Sequence, residues 1–194
     1  MSAVEKYDLL TPVAECRRRL FDLIRTKAFF RGDFTLSSGK KSPYYLDARL
    51  VTLSAEGAFL CGRLIHELVR DCKPTVIGGP TLGADPMVGA VAAVSFLQGN
   101  PVNTFIIRKE AKGHGKGRMV EGPELVLADR IVVIDDVATT GKAFLHSLDA
   151  LALDGLKPAV CACIIDRQDG AREVLAARGV ELRSLYTAAE FLQA

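Results

Sequence analysis

The chain has no CxxC pair, no long apolar run and no large excess of either charge, and each absence removes a class of function. Its five cysteines (Cys16, Cys61, Cys72, Cys161 and Cys163) are odd in number and lack metal-ligand spacing, which argues against a disulfide framework and a thiolate metal site. Cys161 and Cys163 alternate along a strand-like run and would share one face, which suits packing. Reduced thiols and a cytoplasmic location are the expectation. The longest mostly apolar stretch without a charge, residues 87–97, is about half of the ~20 residues a membrane helix needs. The opening MSAVEKYDLLTPVAECRRR carries acids and no apolar core, so neither a secretory leader nor a membrane partner is expected. Lys and Arg total 25 against 23 Asp and Glu, and a net charge of +2 does not suit a general nucleic-acid binder.

The charge is uneven along the chain. Between Arg108 and Arg118 stand five basic residues (Arg108, Lys109, Lys112, Lys116 and Arg118) and one acid, Glu110, so a small anionic partner is expected there. The composition, 49% hydrophobic and 25% charged over 194 residues, is that of an ordinary globular protein. At about 150 residues per domain the length predicts one domain over 1–194 with some elaboration.

Four continuous apolar runs, at 75–77, 104–107, 131–134 and 159–165, predict strands covered on both faces, as in a parallel sheet. Helical patterns lie between them: Leu60/Leu64/Leu68 beside Cys61/Ile65/Val69, and later Phe144, Leu148, Leu151 and Ala152. The alternation predicts an α/β fold with a central, mostly parallel sheet flanked by helices. The first fifty or so residues differ. A helix through Cys16, Leu20, Leu23, Ile24 and Ala28 precedes FTLSSGKKSPYYLDAR, read as short strands around a turn that form a small hood on one end of the sheet.

The most informative run is IVVIDDVATTGKA at 131–143. An apolar strand reaches two acids, Asp135 and Asp136; a loop with Thr139, Thr140 and Gly141 follows, and then a helix begins. In an open α/β sheet ligands bind beyond the carboxyl ends of the strands. Backbone N–H groups at a helix start, with two hydroxyls and a glycine, cradle phosphate. Adjacent carboxylates suit the vicinal hydroxyls of a sugar, so the segment points to a phosphorylated ribose. A Walker loop is excluded, because its first Gly and its final Ser/Thr are Asp136 and Ala143 here, and Gly113, Gly115 and Gly117 do not space as GxGxxG.

The 131–143 segment resembles the phosphoribosyl pyrophosphate (PRPP) motif of type I phosphoribosyltransferases. FTLSSGKKSPYYLDAR, GGPTLGADP at 78–86, RKEAKGHGKG at 108–117 and DRQDG at 166–170 narrow the resemblance to the orotate phosphoribosyltransferase family. It implies a type I phosphoribosyltransferase fold with an N-terminal hood and Mg²⁺-dependent transfer of phosphoribose from PRPP to orotate, giving orotidine 5′-monophosphate and pyrophosphate. By the same resemblance, Arg108, Lys109, Lys112 and His114 hold pyrophosphate on a mobile loop at 108–120 that serves the neighbouring subunit of a homodimer. Asp135, Asp136, Val137, Ala138, Thr139, Thr140, Gly141, Lys142 and Ala143 would cradle the 5-phosphate and ribose. Thr139 and Arg167 would contact orotate, with Tyr45 and Leu46 of the hood lining the base pocket. Mg²⁺ would sit mainly on PRPP oxygens and water.

Two positions depart from the form with lysines: Ser37 and Gly83 stand where some members have lysine. Backbone N–H groups of GGPTLGADP are the expected replacement at the second. His66 and His146 lie on helical patterns and are read as structural or surface groups. Arg167 has a plain alternative as the ion-pair partner of Asp166 or Asp169. A purine or uracil salvage phosphoribosyltransferase would keep 131–143 without RKEAKGHG or Arg167. A PRPP-sensing regulator would need a second basic surface, and a dead paralogue would be expected to lose the loop cations.

Overall fold

The computed structural model describes residues 8–35, 39, 41–110 and 119–194. Helix α1 (Val13–Lys27) leads into strands β1 (Phe29–Thr35) and β2 (Lys41–Leu46), followed by α2 (Arg49–Thr52) and α3 (Ala55–Leu68). Then come β3 (Val76–Pro80), α4 (Asp85–Leu97), β4 (Asn103–Ile107), β5 (Val120–Glu121), β6 (Ile131–Ala138) and α5 (Lys142–Ala152). The chain finishes with β7 (Val160–Asp166), α6 (Ala171–Ala177), β8 (Glu181–Thr187) and α7 (Ala188–Gln193). β1 and β2 pair antiparallel. The other strands form one sheet ordered β5-β4-β3-β6-β7-β8, parallel except at the short edge strand β5.

The apolar runs are strands because helices cover the sheet on both sides: every residue of β3 and β7 is buried. Alternation then divides β6 between two cores. Val132 and Ile134 join the side chains of α1, α3 and α4, whereas Ile131 and Val133 join those of α5 and α6. Cys161 and Cys163 both enter the second core with no exposure, and all five cysteines are free thiols. Burial pushes the Cys161 thiol up to about 12.

Each expected strand is present with shifted ends. The largest shift is in β6, which continues past its two acids: Asp135, Val137 and Ala138 pair with Cys163, Ile165 and Asp166 of β7. β8, whose sequence ELRSLYT mixes charge with apolar residues, is an additional strand at the sheet edge. The expected hood is the β1–β2 hairpin. Phe29 stacks on Tyr44 at 5.0 Å and on Phe191 at 5.6 Å between ring centres. Arg31 Nη2 donates to the carbonyls of Phe191 (3.2 Å) and Leu192 (2.9 Å), satisfying the open end of α7. The hairpin is thereby tied to the last helix. Among the described residues no helix is long and apolar enough to cross a membrane.

Candidate active site

A cleft of about 340 Å³ opens where β3, β6 and β7 end, between the sheet and the segment after β2. Its walls bring together Asp135, Asp136, Val137, Thr139 and Ala143, the turn Pro80–Thr81–Leu82–Gly83, Leu46 to Arg49, Lys109 and Arg167. This is the position expected of a ligand site in an open parallel sheet.

The two acids are held by the backbone that follows them. Asp135 Oδ1 accepts from the Asp136 N–H at 2.9 Å, and Asp136 Oδ1 from the Val137 N–H at 2.8 Å. Asp135 is only 7% exposed. Burial, reinforced by the charge of Asp136, holds its carboxyl well above the usual carboxylate range. Asp136 is also raised by burial, with its hydrogen bonds and the nearby Arg49 opposing the shift. Among the described residues neither carboxylate forms an ion pair, which leaves both with capacity for donors supplied by a ligand.

Gly83 lies against this pair. A Cβ there would stand 2.3 Å from Asp135 Oδ1 and 2.7 Å from Asp136 Oδ1. Those oxygens cannot yield without giving up the two backbone hydrogen bonds, so the turn admits no side chain at 83 while the acids keep this arrangement. In the same turn the N–H groups of Thr81, Ala84 and Asp85 donate to Ile107, Pro80 and Leu82 carbonyls. Those of Leu82 and Gly83 have no protein acceptor among the described residues, consistent with the expected backbone replacement for a lysine.

Beyond β6 the chain turns at Gly141, whose φ of 80° and close approach to Val174 and Ala171 favour glycine. α5 starts at once. The N–H groups of Thr140, Gly141, Lys142 and Ala143 have no protein acceptor among the described residues, as the first turn of a helix dictates. Ala138 is buried beneath this loop, while Thr139, Thr140, Lys142 and Ala143 are exposed.

Arg167 closes the other wall. Its side chain is 8% exposed; Nε donates to Asp169 Oδ2 at 3.1 Å, and the guanidinium lies 4.6 Å from the centre of the Tyr44 ring. The neighbouring Asp166 pairs instead with Arg172 at 2.8 Å. Arg167 is thus both an ion-pair partner of Asp169 and a wall of the cleft. In β2 the buried positions are Ser42, Tyr44 and Leu46, so Leu46 lines the cleft and Tyr45 does not. Tyr45 is 40% exposed and packs with Phe30 and Phe34 on the outer face. Tyr44 is the hood aromatic that meets Arg167.

Lys109 lines the cleft, whereas Arg108 lines an adjoining cavity with Thr81, Asp85 and Glu121. The Arg108 backbone is pinned on both sides: its N–H donates to the Met119 carbonyl at 2.8 Å, and its carbonyl lies 2.9 Å from His146 Nε2. His146 therefore holds the root of the basic segment. His66 is buried and bonded through Nδ1 to Gln98 Oε1 at 2.7 Å, a structural role. Lys112, His114, Lys116, Arg118 and Ser37 lie outside the described residues.

A phosphoribosyl transferase domain family model matches residues 52–187. An orotate phosphoribosyltransferase from Synechocystis is 43% identical, over 94% of this chain and 91% of its own. The chain belongs to the orotate phosphoribosyltransferase family. It is accordingly a pentosyltransferase with the type I phosphoribosyltransferase fold. The Mycobacterium tuberculosis orotate phosphoribosyltransferase solved in complex with PRPP is 35% identical, covers 91% of this chain and 98% of its own, and superposes with a TM-score of 0.76. Leishmania donovani adenine phosphoribosyltransferase, at 16% identity and TM-score 0.62 over 88% of this chain and 80% of its own, shares the fold.

Three residues escaped the sequence argument: Tyr44, which meets Arg167 of the cleft wall, and the cleft residues Asp47 and Arg49. Alternation alone would have found the first. Tyr45 and Leu46 are adjacent on β2 and point to opposite faces, so Leu46 shares its buried face with Tyr44.

Proposed function

We propose that the cleft binds PRPP and orotate and transfers the 5-phosphoribosyl group to orotate, in pyrimidine biosynthesis. The observation that carries this is the meeting of two adjacent buried carboxylates with an open helix start on one wall and Arg167 on another. The N–H groups of 139–143 and the Thr139 and Thr140 hydroxyls take the 5-phosphate. Asp135 and Asp136 accept from the ribose hydroxyls. Arg167, with Nε occupied by Asp169, offers its Nη groups to the orotate carboxylate, a geometry guanidinium suits. Thr139 donates to the base, and Leu46 packs beside it.

Orotate N1 gives up its proton to the departing pyrophosphate and attacks ribose C1 as the C1–O bond to pyrophosphate breaks, the electron pair of that bond leaving with pyrophosphate. Arg108, Lys109, Lys112 and His114 stabilise that leaving charge, and each well-placed donor contributes roughly 3–4 kcal/mol in a site shielded from water. Mg²⁺ would arrive on PRPP, held mainly by substrate oxygens and water, a mode that suits its reluctance to dehydrate. Bound on PRPP, Mg²⁺ neutralises pyrophosphate charge. The functional unit is a homodimer in which the basic loop serves the neighbouring site, a state that sedimentation velocity tests.

The deciding experiment follows orotate absorbance with PRPP and Mg²⁺, beside uracil and hypoxanthine. Loss of absorbance that requires both PRPP and metal is expected. Turnover of uracil or hypoxanthine but not orotate would move the chain to salvage, and PRPP binding without turnover of any base would make it a sensor.

A further inference from the structure

We infer that Arg49 is a pyrophosphate-binding residue of the cleft, supplying from α2 the fixed positive charge that the turn at Gly83 has no room to carry. The inference rests on the PRPP reading above and adds a residue to it.

Three cations line the cleft among the described residues: Lys109, Arg167 and Arg49. Arg167 is committed to Asp169 and to the Tyr44 ring. Lys109 follows β4 and is exposed. Arg49 is different in kind. Its Nε donates to Asp47 Oδ1 at 2.8 Å and its Nη2 to Asp47 Oδ2 at 3.0 Å, while its own N–H bonds the same carboxylate at 3.2 Å. A guanidinium held by a bidentate pair has surrendered its rotamer freedom before a ligand arrives. Nη1 has no protein partner among the described residues, and the side chain is 48% exposed. The group is therefore oriented and still open.

Its location fits pyrophosphate rather than the 5-phosphate. Arg49 shares the cleft with the Thr81–Gly83 turn and Asp136, and its positive charge is felt by Asp136. The 5-phosphate cradle at 139–143 needs no side-chain cation, because a helix start supplies its donors. The opposite end of PRPP carries the larger charge and must lie past the ribose-binding acids, toward the turn where a side chain at 83 would strike both carboxylates. Arg49 reaches that region from a different segment.

The test is calorimetric titration of the full-length wild-type, Arg49→Gln and Arg49→Lys proteins with PRPP, with inorganic pyrophosphate and with ribose 5-phosphate, all in Mg²⁺, alongside steady-state kinetics. Arg49→Gln is expected to weaken PRPP and pyrophosphate about tenfold or more, the size of one charge-assisted hydrogen bond. Ribose 5-phosphate affinity and the KM for orotate should stay near wild type, and Arg49→Lys should recover part of the loss. Unchanged pyrophosphate affinity in Arg49→Gln, or an equal loss for ribose 5-phosphate, overturns the assignment while wild-type PRPP binding stands. A wild-type protein that does not bind PRPP overturns the parent reading and this one with it. Thermal melts of the variants separate a binding loss from unfolding, and a loss that follows the melt and is shared by all three ligands also overturns it.

Discussion

Adjacent parallel strands β6 and β7 each carry a buried aspartate toward the carboxyl end, Asp135 three residues before the end of β6 and Asp166 as the last residue of β7, and the two are treated in opposite ways. Asp166 on β7 has no exposure, and its charge is met from both oxygens: Arg172 Nε at 2.8 Å and the Gln168 N–H at 2.8 Å. Asp135 on β6 is nearly as buried, yet its neighbour is a second carboxylate. A buried charge with its own partner holds a loop in place; a buried charge without one is a standing demand for a ligand. The same residue type at the same sheet edge is structural in one strand and a site in the next.

The largest effect expected from breaking this contrast is on turnover. Replacing Asp135→Asn together with Asp136→Asn should lower the rate by roughly 100-fold or more and weaken PRPP binding. The same change should raise the melting temperature of the ligand-free protein at neutral pH by roughly a few degrees, because it removes two charges held in a dry wall. Asp166→Asn should do the reverse. It leaves Arg172 unpaired and is expected to destabilise by about 2 kcal/mol, roughly 4–8 °C in melting temperature, with little change in the KM for PRPP. Melting shifts of the same sign at both strand ends would dissolve the distinction.

A pH series sharpens it. The Asp135 and Asp136 carboxyls are raised in the fold above the ordinary value of 3.8. Their contribution to stability is complete below that value and is lost as pH rises through the folded values. Asp47, lowered by its hydrogen bonds to Arg49, works in the opposite direction: its contribution is present above 3.8 and is lost as pH falls through its folded value. The melting-temperature gain of the Asp135→Asn, Asp136→Asn protein should therefore grow from pH 4 toward neutrality, and a gain that shrinks over that range would reject the raised carboxyls. The smallest expected effect compares the two hood tyrosines. Tyr44→Leu should raise the KM for orotate by roughly fivefold, about 1 kcal/mol of cation–π contact with Arg167, while Tyr45→Leu should leave it near wild type.

Much of this arrangement was legible from residues alone, and the reasons for success and failure differ. β3, β6 and β7 are continuous apolar runs because helices cover both sheet faces, so composition announces them. β8 carries Glu181 and Arg183 at the open edge of the sheet, where Arg183 pairs with Glu181 and with Asp71, and no apolar run marks it. The acids at 135 and 136 and the loop after them were visible because they lie together in one short run of sequence. Arg49 was not, since the cleft assembles it from a segment more than eighty residues away from the acids. The hairpin was legible, and strand parity separates its two tyrosines: Tyr44 meets Arg167, whereas Tyr45 packs with Phe30 and Phe34.

Gly83 also separates the two forms of this site in sequence space. A single substitution to lysine here would bring a Cβ within 2.3 Å of Asp135 Oδ1 and 2.7 Å of Asp136 Oδ1. The acids, their backbone hydrogen bonds and the turn must change together, so no neutral one-step path joins the forms. With Arg49 already lining the cleft, a side chain at 83 would bring the clash without being needed to place a cation there, so glycine is the residue this geometry favours.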